Sequence, residues 1–127
     1  MPNSRAELIN ILLKAGLASK NGIQGKPEHV EIWVRDNFKC VYCGADLLSD
    51  VITMSGAQID HILPKSKPEY KTFSNLKENW ALSCFCCNQL KRDSDPLKGH
   101  DLIITIENLS SMREILIDIC KVELLNE

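Results

Sequence analysis

Two cysteine pairs carry the most specific chemistry in this chain. Cys40-Val41-Tyr42-Cys43 and Cys84-Phe85-Cys86-Cys87 each place two residues between two thiols. Two such knuckles supply the four thiolates that a tetrahedral Zn²⁺ takes. Forty residues separate Cys43 from Cys84, more than a compact zinc ribbon needs, so a folded segment must lie between the pairs and be stapled by them. Disulfides are the weaker rival, because no secretory signal is seen and Cys86 and Cys120 are left over. Adjacent cysteines chelate one ion poorly, which leaves Cys86 as a small buried or half-buried thiol.

Between and beside the pairs stand groups of a different kind. Asp60 and Asn88 offer oxygen atoms, and Mg²⁺ takes hard oxygens in an octahedron, keeps several waters and is commonly held by one or two protein groups plus a substrate phosphate. Ligand softness keeps two metals apart: thiolates select zinc, and oxygens select Mg²⁺ or Mn²⁺. His61 adjoins Asp60, and a neutral imidazole is the side chain best suited to take a proton near pH 7. Such a base can activate water for attack on phosphorus while the cation stabilises the developing charge. Singly, each residue has an ordinary explanation, an Asp-His pair being usually a surface feature and an Asn near a helix start usually a cap.

The elements that must position these groups follow in a fixed order. Residues 57–62 read as a short strand ending near Pro64, a polar loop follows, and residues 80–83 read as a second strand. From Cys84 or Phe85 onward the pattern is helical, with Asn88, Lys91 and Arg92 on one or two adjacent turns. Neighbours on a regular strand point to opposite faces. Asp60 and His61 therefore serve one phosphate only if the strand breaks there, which Pro64 and the loop beyond it allow.

These residues resemble the HNH endonucleases, a family built on the ββα-metal fold and often carrying a four-cysteine zinc site. The resemblance takes in both knuckles, the Asp60-His61 pair, Asn79 and Asn88. Asn79 lies nine positions before Asn88, which is similar to the family's spacing between its second and third signature residues. Asn in third place marks the His-Asn-Asn variant. The resemblance implies a metal-dependent endonuclease that hydrolyses phosphodiester bonds in DNA and leaves a 5′-phosphate and a 3′-hydroxyl. His61 would be the base, and Asp60 and Asn88 would hold one Mg²⁺ or Mn²⁺. Asn79 would tie the loop to the base and orient it, Asn75 being a rival outside the nine-residue spacing. Cys40, Cys43, Cys84 and Cys87 would hold the structural zinc. The expected fold class is α+β, one domain over residues 1–127: helices in 1–39, a zinc-bound ββα-metal core in 40–92, and a strand and helix in 93–127.

Composition sets the limits. A chain of 127 residues with 44% hydrophobic and 25% charged residues reads as one small globular domain, whose core can be modest because zinc contributes folding free energy. No run approaches a membrane span, and reduced cysteines free to bind zinc fit an intracellular, cytoplasmic location. The formal net charge of −2 argues against a large general affinity for nucleic acid. The distribution says more. Residues 60–92 hold six basic side chains against three acidic ones, whereas residues 100–127 hold two against six. Lys65, Lys67, Lys91 and Arg92 are expected to contact phosphates and so position a backbone without reading its sequence, although a solvated surface explains any one of them equally well.

The flanks look supportive. Ser4 with Glu7 forms a capping box ahead of a helix over residues 5–15. After the loop 17–26, Pro27 starts a second helix to about Arg35, with Val30, Trp33 and Val34 near one face. His29 is expected at the surface. Beyond the loop 93–99, residues 102–106 read as a β-branched strand. Ser111 with Glu114 opens a helix to about residue 124, with Met112, Ile115, Leu116 and Ile119 as its apolar stripe. Ile117, Val122, Leu124 and Leu125 widen that stripe enough for a partner or a homodimer contact. Two other functions compete with a free-standing nuclease. One is a non-catalytic zinc module that binds nucleic acid or protein; the other is the nuclease subunit of a larger defence, packaging or repair complex. The sequence does not separate DNA from RNA.

Overall fold

In the computed structural model, which describes residues 27–125, the chain opens with helix α1, Pro27–Arg35. The helix expected over residues 5–15, its capping pair and the loop 17–26 lie outside the described residues. α1 buries Ile32 and Trp33, half-buries Val30 and turns Val34 outward, so its inner edge is rotated from the one expected. Asn37 and Phe38 end it, both at φ 59°, with the Phe38 N–H donating to the Trp33 carbonyl at 2.9 Å. A left-handed backbone at such residues costs about 1–2 kcal/mol each. Burial of the Phe38 ring offsets part of it, and the turn aims the chain into the first knuckle. Asp36, on the same turn, accepts from the Leu82 N–H at 2.9 Å and from Arg113 at 3.3 Å.

A short helix α2, Val51–Gly56, follows the knuckle. Sequence periodicity does not announce it, but Asp50 caps it by accepting the Thr53 N–H at 2.7 Å. Strand β1, Gln58–His61, then pairs antiparallel with β2, Trp80–Ser83, Asp60 facing Ala81 and His61 facing Trp80. Helix α3, Phe85–Lys91, completes strand, strand, helix in the expected order. The loop between the strands is less polar than expected. It holds two 3₁₀ turns, Pro68–Phe73 and Lys77–Asn79, and buries Tyr70, Phe73 and Asn79.

The small sheet separates two apolar clusters because alternate strand residues face opposite sides. Ala81 packs with Cys40, Tyr42, Ile62 and Cys87, whereas Leu82 packs with Ile32, Trp33, Leu47 and Met54. The last helix, α4, Leu109–Leu125, covers the first cluster with Leu109, Leu116, Ile117 and Cys120. Ile117 therefore lies inside, and Ile115, expected in the stripe, is exposed.

Two expectations for this end of the chain fail. Residues 102–106 form no strand: they pair with no ladder among the described residues, and Ile103 and Ile106 are exposed. β-Branched composition favours a strand only where a neighbouring edge exists to receive it. The Ser111–Glu114 box is also not the cap, since α4 begins two residues earlier. Thr105 and Asn108 exchange hydrogen bonds ahead of it, Thr105 N–H to Asn108 Oδ1 at 2.7 Å and Asn108 N–H to Thr105 Oγ1 at 3.1 Å. No described helix is long and apolar enough to cross a membrane.

Candidate active site

The four knuckle cysteines converge. The sulfur atoms of Cys40, Cys43, Cys84 and Cys87 all lie within 4.8 Å of one another, and those of Cys43 and Cys84 are 3.7 Å apart. Tetrahedral zinc with Zn–S bonds of about 2.3 Å requires sulfurs roughly 3.8 Å apart, so this set fits the ion. Local structure prepares it. Gly44, at φ 78°, closes the first knuckle by returning its N–H to the Cys40 carbonyl at 2.9 Å. Cys84 caps α3, its sulfur accepting the Cys87 N–H at 3.3 Å. Burial, and after it the field of Cys40, pushes the Cys87 thiol up, so ionising this crowded set needs a compensating cation. Cys86, expected to be at least half-buried, is exposed because the alternate turn of α3 faces outward.

Asp60 sits beneath the sheet at 6% exposure, with each carboxylate oxygen in a different setting. Oδ2 accepts from the Tyr42 hydroxyl at 2.6 Å and lies 3.2 Å from Lys91 Nζ. Oδ1 faces Asn88, whose Nδ2 is 3.4 Å away. A half-turn of the Asn88 amide exchanges nitrogen for oxygen, and the pair then offers two hard oxygens to one cation. Burial raises the Asp60 carboxyl above its usual range, against the opposing Lys91 ammonium and Tyr42 hydroxyl. Tyr42 is itself pushed well up by burial and by Asp60, so it stays a hydroxyl and can donate.

His61 follows on the other face of β1, beside Trp80, with ring centroids 6.3 Å apart. Its Nε2 meets the Ser74 carbonyl at 2.9 Å, and that oxygen also accepts from Trp80 Nε1 at 2.8 Å. A carbonyl only accepts, so Nε2 carries the proton and Nδ1 keeps its lone pair. Burial pushes the imidazole below its ordinary value, more than the Ser74 bond raises it. The ring is thereby held neutral with one nitrogen left to accept a proton. The regular strand stops at His61, where a break is required for the two neighbours to face one place. β1 ends at His61, and both side chains border one cavity of about 310 Å³.

Asn79 is fully buried and clamps the turn that follows. Its Oδ1 accepts the Leu63 N–H at 2.8 Å and its Nδ2 donates to the Leu63 carbonyl at 3.0 Å. It ties the loop two residues beyond His61, while the ring itself is held by Ser74. Neither Ser74 nor Tyr42 carries a sequence signal, one acting through its backbone and the other sitting between zinc ligands.

The expected phosphate contacts divide. Lys65 and Arg92 line the cavity with Ser66 and Asp93, and Lys67 is half-buried outside it. Lys91 is not at the surface. At 2% exposure it pairs with Asp60 and donates to the His61 carbonyl at 2.9 Å. The signal was present, since Lys91 lies one helical turn after Cys87 and shares its inward face. His29, expected at the surface, is half-buried with its ring edge-on to Trp80.

Comparison with known proteins agrees with this geometry. The family model described as HNH endonuclease matches residues 40–94, the stretch holding every residue of both centres. The CRISPR-associated endonuclease Cas9 of Corynebacterium diphtheriae is 33% identical over 87 residues, covering 65% of this chain. The chain spans 7% of the length of that relative. The match to the HNH endonuclease model over residues 40–94 thus falls on four clustered sulfurs, an antiparallel strand pair and the helix that follows it.

Proposed function

We propose that this protein is a metal-dependent endonuclease that hydrolyses phosphodiester bonds in DNA, with His61 as general base and Asp60 and Asn88 as ligands of one Mg²⁺ or Mn²⁺. The observation that carries the reading is the meeting of three functions in one cavity. These are a carboxylate with one oxygen spare, an amide beside it, and an imidazole whose tautomer is set by Ser74. The cation would polarise the scissile phosphate and stabilise charge on the leaving oxygen. The chain's own residues do the rest. His61 takes a proton from the attacking water at Nδ1, and Ser74 and Trp80 keep its ring from turning. Asn79 fixes the turn after the base, and the Lys91 ammonium holds both the Asp60 carboxylate and the His61 backbone. Lys65 and Arg92 meet the phosphate backbone at the rim of the cavity. Cys40, Cys43, Cys84 and Cys87 keep one zinc for structure.

The test is incubation of supercoiled plasmid with the purified protein and Mg²⁺ or Mn²⁺, against His61→Ala and against omission of the cation. Omission is preferable to a chelator, which would attack the sulfur centre as well. Nicked or linear product is expected only from the parent with cation, and His61→Ala should be slower by about 10²–10⁴-fold. Equal cutting by His61→Ala would sink the mechanism. Because the chain spans only 7% of its relative, recognition supplied by other polypeptides is the second reading. Cutting by the purified chain alone would make such a partner dispensable.

A further inference from the structure

The sulfur centre and the oxygen pair are joined through the first knuckle. Cys40 and Cys43 stand at its ends. Between them, Val41 donates its N–H to the Leu82 carbonyl of β2 at 2.9 Å, and Tyr42 sends a buried ring under the sheet to reach Asp60 Oδ2 at 2.6 Å. On the other side, Asn88 follows Cys87 directly along α3. Each member of the oxygen pair thus hangs on a zinc ligand, Asn88 by a peptide bond and Asp60 through a neighbour's hydroxyl.

We propose that Tyr42 is a positioning residue for the oxygen pair, and that through it the four-cysteine centre sets how tightly Asp60 and Asn88 bind their cation. This rests on the reading of those two residues as cation ligands. Oδ2 of Asp60 has two partners of different character. The Lys91 ammonium is a compact charge with rotatable donors, which attracts the carboxylate without fixing its plane. The Tyr42 hydroxyl comes from a rigid, buried ring on the short segment between Cys40 and Cys43, and it defines a direction. With both in place Oδ2 is occupied, and Oδ1 is the oxygen presented beside Asn88. Without the hydroxyl the carboxylate is free to turn and share both oxygens with Lys91, which draws Oδ1 away from a cation.

Tyr42→Phe removes one oxygen and keeps the ring. Zinc content is read by chromophoric release, stability by thermal melting, and cation affinity by electron paramagnetic resonance of free Mn²⁺, well below the melting transition. Binding lost on Asp60→Ala defines the site. One zinc per chain and a cooperative melt are expected to persist in Tyr42→Phe, while Mn²⁺ binds about tenfold more weakly, as is usual for hydrogen-bond partners of metal ligands. In cleavage, the Mn²⁺ concentration giving half the maximal rate should rise by the same factor. Saturating Mn²⁺ should bring the rate back to within about twofold of the parent. A purely structural role would instead lower the rate at every Mn²⁺ concentration. Parent-like Mn²⁺ affinity, loss of zinc or a rate not rescued by Mn²⁺ each overturns the proposal. Asp60→Ala protein that binds Mn²⁺ as tightly as the parent overturns the nuclease reading together with it.

Discussion

The two centres lie side by side and are built on opposite terms. The sulfur centre has four ligands from two knuckles, enough to complete a tetrahedron, and nothing is left for a substrate. The oxygen pair would supply only two ligands, one of them a carboxylate paired with Lys91, so a cation bound there would keep most of its positions for water and phosphate. Saturation makes the first centre a staple. Incompleteness makes the second a place where chemistry can occur, and the residues around it are spent on orientation: Tyr42 on Asp60, Ser74 on His61, Asn79 on the turn that follows.

The contrast breaks first at Cys84. Structural zinc contributes on the order of 10–16 kcal/mol in small zinc domains, as much as the whole stability of an ordinary domain, about 5–15 kcal/mol. Cys84 also caps α3 through its sulfur. Cys84→Ser is expected to lose zinc and to show no cooperative melt by circular dichroism. Cys86→Ser, at an exposed position in the same knuckle, should keep the zinc and shift stability by less than about 0.5 kcal/mol. A Cys84→Ser protein that melts like the parent would remove the staple from the account.

Asn79→Ala tests the scaffolding of the oxygen site. The carboxamide is fully buried and makes two hydrogen bonds to the Leu63 backbone. Leaving that N–H and carbonyl unpaired in the core costs about 1–3 kcal/mol each. Urea unfolding should therefore show a loss of roughly 2–6 kcal/mol with zinc retained. Cleavage should fall in addition, because the loosened turn begins two residues after His61.

What the sequence discloses follows from how local each feature is. The knuckles, both strands and α3 are legible because each rests on spacing within a few residues, and β2 occurs over the expected residues 80–83. That Asp60, His61 and Asn88 come to line one cavity is legible because oxygen and sulfur donors stand apart in one short stretch. Tyr42 and Ser74 are relations across the fold: Tyr42 meets Asp60 only after the knuckle docks beneath β1, and Ser74 acts through a carbonyl that every residue possesses. The strand expected over 102–106 shows the converse limit. Its composition is that of a strand, but these residues join no ladder, and Ile103 and Ile106 are exposed.

The pH dependence sharpens the assignment of the base. Burial holds His61 below the ordinary histidine value of about 6.5, and a base works in its neutral form. The cleavage rate should rise with pH through that depressed value and level off above it, with its acid limb below about pH 6.5. The same shift has a sign in stability. Between the folded value and about 6.5 the unfolded chain binds the extra proton, so the contribution of His61 is present above that window and is lost as pH falls through it. Rate–pH profiles and urea midpoints measured from pH 5 to 8 check both statements. An acid limb centred above about 6.5 would point to a base other than His61.

The smallest effect expected is at the rim. Lys65 is exposed and lines the cavity, Lys67 is half-buried outside it, and Lys91 is inside and already paired. Three lysines that look alike in the sequence should therefore behave differently. Each phosphate contact to duplex DNA contributes about 0.9 to the slope of log affinity against log salt. Lys65→Gln should reduce that slope by about one and weaken binding with no change in melting. Lys67→Gln should alter the slope less. Lys91→Gln should leave the slope as it is and cost stability and cleavage, since it strips the ammonium from a buried carboxylate and leaves that charge uncompensated. Fluorescence-anisotropy titrations of the three variants at several salt concentrations, with Ca²⁺ in place of Mg²⁺ to hold the substrate intact, separate them. If Lys91→Gln alone lowered the slope, the oxygen site would be reaching phosphate through that ammonium, and its role as an internal partner of Asp60 would have to be abandoned.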